Sequence, residues 1–153
     1  MTPKEYLDSL EPDRKSLLSQ IRALLMKHDK NITETVTTMM GKRMLVYQAE
    51  GGIFKYALAS VMTHMSFHSM VLYGSSELFG GTGLREKYER LLPKAKFQKA
   101  CINFRMADQV PLDVMEQLIK ESAALEYPPA IYKERMLKSE TRRQAAQKTR
   151  MKK

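Results

Sequence analysis

Residues 43–73, RMLVYQAEGGIFKYALASVMTHMSFHSMVLY, decide the fold. Side chains along a strand alternate between two faces, and this stretch alternates through three runs separated by turn residues. The pattern predicts strands over Arg43–Ala49, Gly52–Ala59 and His64–Tyr73. Glu50-Gly51 supplies the first turn, because glycine adopts the positive φ that tight hairpins require. Residues 60–63 supply the second. With Ala49 opposite Gly52 and Ala59 opposite His64, one face gathers Leu45, Tyr47, Phe54, Tyr56, Leu58, Met65, Phe67, Val71 and Tyr73. Large and mostly apolar, it is the face that helices should cover. The other face collects Met44, Val46, Gln48, Lys55, Ala57, His64, Ser66, His68 and Met70. Its mixed character predicts a surface at least partly open to water.

Upstream, Thr2-Pro3 is a helix opening, a hydroxyl N-cap before a first-turn proline. Glu11-Pro12-Asp13 opens a longer helix to about Asp29, with Leu17, Leu18, Ile21, Leu24 and Leu25 on one side and Arg14, Lys15, Arg22 and Lys27 on the other. Residues 32–38 are rich in β-branched side chains and read as a first strand, broken at Met39-Met40-Gly41. Downstream, Gly74 to Gly83 reads as a loop, Leu84 to Leu92 as a short helix stopped by Pro93, and Ala100 to Arg105 as another strand. Pro111 opens a last core helix with Leu112, Met115, Leu118, Ile119 and Ser122 on one stripe. Helices, then antiparallel strands, then helices again imply an α+β fold, its sheet packed on the N- and C-terminal helices.

Tyr127-Pro128-Pro129 ends the expected folded domain, residues 1–127. Residues 128–153 have helical propensity without an adequate apolar stripe and read as a solvated helix or a disordered tail. The net charge of +9 sits mostly there. Residues 1–127 hold 17 Lys and Arg against 15 Asp and Glu, a net of +2; residues 128–153 hold nine against two, a net of +7. Arg142, Arg143, Lys148, Arg150, Lys152 and Lys153 are therefore the candidate nucleic-acid contacts, neutralising phosphates in a salt-dependent way. Tyr132 is the tail's single aromatic, so base stacking is not offered there. A basic solubilising tail is the plainer alternative.

The first ten residues have no apolar leader, and no uncharged apolar run approaches the roughly 20 residues of a membrane span. A single cysteine, Cys101, forms no internal disulfide. Together these predict a cytosolic protein without membrane contact.

Four patterns carry a family resemblance: Glu5-Tyr6-Leu7 before a Leu-rich helix, Thr33-Glu34-Thr35-Val36, Phe54-Lys55-Tyr56-Ala57, and His64-Met65-Ser66-Phe67-His68. In this order they resemble the YdhG-like bacterial family, a domain of unknown function. Gly81-Thr82-Gly83, Cys101–Arg105 and Leu112–Ala123 are similar to its later elements, so the resemblance covers about residues 4–124. Where that family has Met-Pro and an aromatic after the first strand, this chain has Met40-Gly41-Lys42. The resemblance implies a two-layer frataxin-like sandwich. Some members are described as iron chaperones for iron–sulfur assembly, which makes iron the cofactor to consider.

Iron prefers carboxylate and imidazole ligands, and Glu5, Asp8, Glu11 and Asp13 in the first helical segments are its candidate ligands. Lys4, Arg14 and Lys15 dilute that cluster. His64 and His68, four apart on a strand, have Cα atoms about 13 Å apart at roughly 3.3 Å per residue, too far to share one ion. Cys101 has the parity to meet one of them, and a thiol beside an imidazole binds soft metals or acts as a nucleophile. Met39, Met40, Met44, Met62, Met65 and Met70 invite a copper reading, but their parity disperses them and predicts adaptable core filling. Gly80-Gly81-Thr82-Gly83 lacks the ending of a phosphate-binding loop. The expectation is a binding or chaperone-type domain, not an enzyme. Its open sheet face, through Lys55, His64, His68 and Cys101, meets a protein partner; nucleic-acid binding through the tail is the alternative.

Overall fold

The computed structural model describes residues 1–73 and 83–151. Helix α1 (Pro3–Asp8) starts with a reciprocal cap: Thr2 Oγ1 accepts from the Glu5 amide at 3.1 Å, and the Glu5 carboxylate accepts from the Thr2 amide at 2.8 Å. Helix α2 (Pro12–His28) buries Leu17, Leu18, Ile21 and Leu25 along one face. Among the described residues six strands and one helix follow: β1 (Thr33–Met39), β2 (Lys42–Ala49), β3 (Ile53–Ser60), β4 (Met65–Ser69), α3 (Leu84–Leu91), β5 (Lys96–Gln98) and β6 (Cys101–Phe104). They form one antiparallel sheet in the order β1-β2-β3-β4-β6-β5. Helices α4 (Leu112–Ala124) and α5 (Ala130–Met151) complete an α+β chain. Among the described residues no helix is long and apolar enough to cross a membrane.

One face of the sheet joins the helices in a single core. Leu45, Tyr47, Tyr56, Leu58, Met65, Phe67, Ile102 and Phe104 meet Leu18, Ile21 and Leu25 of α2, Tyr88 of α3, and Met115, Leu118 and Ile119 of α4. Each fully buried Leu or Ile contributes about 1.5–3 kcal/mol, so this face fixes which way the sheet can lie. One polar group that enters the core side is paired twice over. The Tyr47 hydroxyl donates to Glu34 at 2.8 Å, and Arg22 grips the same carboxylate with two 2.7 Å bonds.

The register of β3 differs from the simple alternation. Ala49 lies opposite Ile53, and Tyr47↔Tyr56 is followed directly by Gln48↔Phe54. Lys55 is therefore the extra residue of a β-bulge, which switches side-chain parity locally. Phe54 turns to the open face, where its ring meets His68 at a centroid distance of 5.0 Å. Lys55, expected on that open face, is buried on the helix side against Asp29. A buried ammonium is tolerated only when paired, and Asp29, placed where α2 ends, provides the partner.

Other differences are smaller. Ala59 lies opposite Ser66 instead of His64, a two-residue displacement that leaves the faces unchanged. β4 stops at Ser69, and residues 70–72 form a 3₁₀ turn. The short edge strand β5 carries only Phe97 as an inward apolar group, too brief a pattern to announce a strand. Residues 128–153, read as either a solvated helix or a disordered tail, hold α5, exposed at every position from 133 to 151. The expected Gly-rich loop, with Gly80, Gly81 and Thr82, lies outside the described residues except for Gly83, as do Lys152 and Lys153.

Candidate functional site on the open sheet face

The outer face of the sheet has small residues at its centre. Ala57 and Ala59 of β3 and Ser66 of β4 form a floor, because Val46↔Ala57↔His68↔Cys101 and Ala59↔Ser66↔Asn103 run as rows across the strands. Larger side chains stand around them. The result is a depression of about 200 Å³, lined by Met39, Met40, Lys42, Met44, Phe54, His68 and Cys101 together with that floor. Most of its surface is apolar, and among the described residues Lys42, on its rim, is the one formal charge that lines it.

The β1–β2 hairpin supplies the methionine wall. Met40 and Gly41 occupy its tip at φ 52° and 76°, the left-handed geometry of a primed hairpin turn. Met39 and Met44 project from the strands on the open face, and Met40 is 95 % exposed. Of the six clustered methionines, then, three surround the depression, Met70 lies against His68, Met65 is in the core and Met62 is in solvent. The expectation that they serve mainly as core filling fails here because the hairpin brings Met39, Met40 and Met44 together, a relation invisible to parity along one strand.

His68 and Cys101 are cross-strand neighbours, with His68 Nδ1 3.0 Å from Cys101 Sγ and Nε2 3.4 Å from Met70 Sδ. A thioether only accepts, so these partners assign the ring proton to Nε2 and make the thiol the donor to Nδ1. Burial lowers the His68 pKa to about 4, and burial likewise raises the Cys101 thiol, partly offset by a hydrogen bond with Ser66. Both shifts favour the neutral forms. An imidazolium–thiolate pair, the arrangement of a cysteine nucleophile, is opposed by this environment.

His64 stands apart from this pair. It lies just before β4, with Nδ1 2.8 Å from Thr63 Oγ1, and lines a different hollow with Lys96, Asn103 and Arg105. Of the four residues expected together on the open face, the structure brings together His68 and Cys101, separates His64 and removes Lys55. Phe54, which parity placed on the opposite face, and Met39 and Met40, which it placed on neither, join Met44 there instead.

The acidic residues of the first helices do not converge. Glu5 is engaged in the α1 cap, and Asp8 accepts from Lys4 and Lys15 at 2.7 Å each. Those two ammonium groups hold its carboxyl down to about 2. Glu11 precedes α2 without a side-chain cap, and Asp13 sits in its first turn. Among the described residues no three His, Cys, Asp or Glu side chains gather around a point that could hold a metal ion.

A wider polar cleft, near 590 Å³, lies at the β2–β3 turn against Asn31, Glu50 and Tyr127. Tyr127 of this lining also faces the buried Lys55–Asp29 pair, in which the Tyr56 hydroxyl donates to Asp29 at 2.9 Å. The Lys55 ammonium is 5.1 Å from the Tyr56 ring centroid and 5.3 Å from that of Tyr127. These contacts anchor the bulge. No family model, curated protein or solved structure matches the chain.

Proposed function

We propose that this chain is a binding domain of the chaperone type, not an enzyme, and that its open sheet face receives a protein partner. The observation that carries the proposal is the depression over Ala57, Ala59 and Ser66, walled by Met39, Met40, Met44 and Phe54. Thioether side chains adapt to differently shaped apolar groups and are used at surfaces that bind several partners. The adjoining Lys42 favours a segment with a carboxylate beside its apolar side chain. The neutral His68–Cys101 pair contributes shape and hydrogen bonding, not an activated nucleophile.

A frataxin-like, YdhG-like arrangement is the finer fold assignment we propose. It is supported by the antiparallel sheet with helices α2 and α4 on one face. Cytoplasmic residence is proposed on the single unpaired cysteine. Iron handling, the other element of that resemblance, would have to rest mainly on Glu11 and Asp13, since Glu5 and Asp8 are already engaged.

Selection of displayed peptides against the full chain tests the site. Enriched sequences should carry an apolar residue next to Asp or Glu, and Ala59→Phe, which fills the floor, should abolish their binding. Peptides that bind wild type and Ala59→Phe equally would remove the depression from consideration.

The second function is nucleic-acid binding through α5, favoured by a 22-residue helix with exposed Arg142, Arg143, Lys148 and Arg150. Removal of residues 130–153 should then eliminate salt-sensitive affinity for DNA or RNA. Unchanged affinity would exclude it.

A further inference from the structure

A second hollow of about 350 Å³ lies at the His64 end of the sheet, separate from the methionine-walled depression. The strand register builds it. Lys96 of β5 is opposite Asn103 of β6, and Asn103 is opposite Ser66 of β4. Continuing that register one step past Met65↔Phe104 sets Arg105 across from His64. Thr63, Lys94, Gln98 and Gln109 complete its polar rim among the described residues.

Among the described residues no carboxylate lines this hollow. Lys94 leans toward Asp108 at 3.5 Å. Among the described residues neither Lys96 nor Arg105 has a carboxylate at ion-pair distance. Arg14 of α2 reaches the same end of the sheet and is fixed there, donating to Ser60 Oγ at 2.8 Å and to the Val61 carbonyl, with the His64 carbonyl at 3.4 Å. Burial first, then the surrounding cations Lys42, Arg14, Arg105 and Lys96, lowers the proton affinity of His64. Several cations held close without a counter-charge repel one another, and an anion between them relieves that repulsion.

We infer that the hollow between Lys96, Arg105 and His64 is a binding site for a compact polyanion, a di- or triphosphate group recognised through its oxygens. Arg105 and Lys96 supply charge, while Asn103 and Thr63 supply neutral hydrogen bonds. Phe104 at this position is 2 % exposed, so its ring is not available for a nucleobase to stack on. That favours the phosphate group of a small ligand over a nucleic-acid strand. The inference is independent of the partner-binding role assigned to the methionine-walled depression.

The chain has three histidines, so an NMR pH titration of the full protein follows His64, His28 and His68 side by side. Sodium tripolyphosphate is the probe, compared with sodium chloride at equal ionic strength. Bound polyanion should raise the His64 pKa by about half a unit or more, leaving His28 and His68 in place. The double variant Lys96→Gln, Arg105→Gln should lose that rise, with the His28 and His68 resonances reporting that the fold is kept. Three results would overturn the site: no rise with tripolyphosphate, the same rise in chloride, or the same rise in the double variant. A single-stranded oligonucleotide forms a separate arm. A rise with oligonucleotide alone also overturns the small-anion site and assigns the surface to nucleic acid.

Discussion

Asp29, at the end of α2, and Lys55, the extra residue of the β3 bulge, form a buried ion pair with 2.7 Å between Oδ2 and Nζ and side-chain exposures of 2 % and 5 %. The pair links a helix terminus to a strand irregularity 26 residues away, and the bulge in turn places Phe54 beside His68 on the opposite face. An electrostatic contact on the core side thereby shapes the candidate site on the other.

Breaking one partner leaves the other charge buried, which costs about 3–5 kcal/mol. Asp29→Asn and Lys55→Met should each destabilise the protein by that order in urea unfolding at pH 7. Combining Asp29→Leu with Lys55→Met should recover much of the loss, because neither charge then remains. Additive losses in the double variant would show that the two residues act independently.

The bulge also marks where the sequence stops being legible. Alternation from Leu45 to Tyr47 and from Tyr56 to Leu58 was enough to find the core face, because those side chains are large and their period is two. One inserted residue reverses that period locally, so Phe54 and Lys55 exchange faces without any change in composition. A lone lysine inside an apolar run was the available signal, but its partner Asp29 lies in a different element. The same limit hid the methionine wall, since Met39, Met40 and Met44 converge only after the hairpin closes. His68 and Cys101, by contrast, were legible as possible neighbours because each has the parity of the open face on its own strand.

The His68–Cys101 pair predicts low thiol reactivity. Burial raises the Cys101 pKa, so its thiolate fraction at pH 7 falls below that of a model thiol. Iodoacetamide labelling at neutral pH should be slower than for a model cysteine peptide, and His68→Ala should not slow it further. Labelling faster than the peptide, with loss of that advantage in His68→Ala, would reveal an activated nucleophile.

His68 also predicts a pH dependence of stability. Its folded pKa of about 4 lies below the ordinary imidazole value of 6.5, so between these values the unfolded chain binds the extra proton. Stability is unaffected by this group above pH 6.5 and declines as pH falls toward 4. The full difference is about 3 kcal/mol. Urea midpoints measured from pH 7 to 4.5 should fall for wild type and fall less for His68→Gln. Parallel curves would show that His68 protonates as readily in the folded protein as in the unfolded one.

Met40 separates what the fold favours from what the face uses. A methionine at φ 52° and 95 % exposure gains little from burial while occupying a conformation better suited to Asn or Gly. Replacing it to give an Asn-Gly turn, Met40→Asn, should stabilise the protein by about 0.5–1 kcal/mol, read from the urea midpoint at pH 7. If the depression binds a partner through its methionine wall, the same change should weaken peptides selected on the wild-type face. Stabilisation with binding intact would make Met40 a neutral turn residue. Stabilisation with binding lost would show that this exposed methionine contributes to recognition at the expense of the turn that carries it.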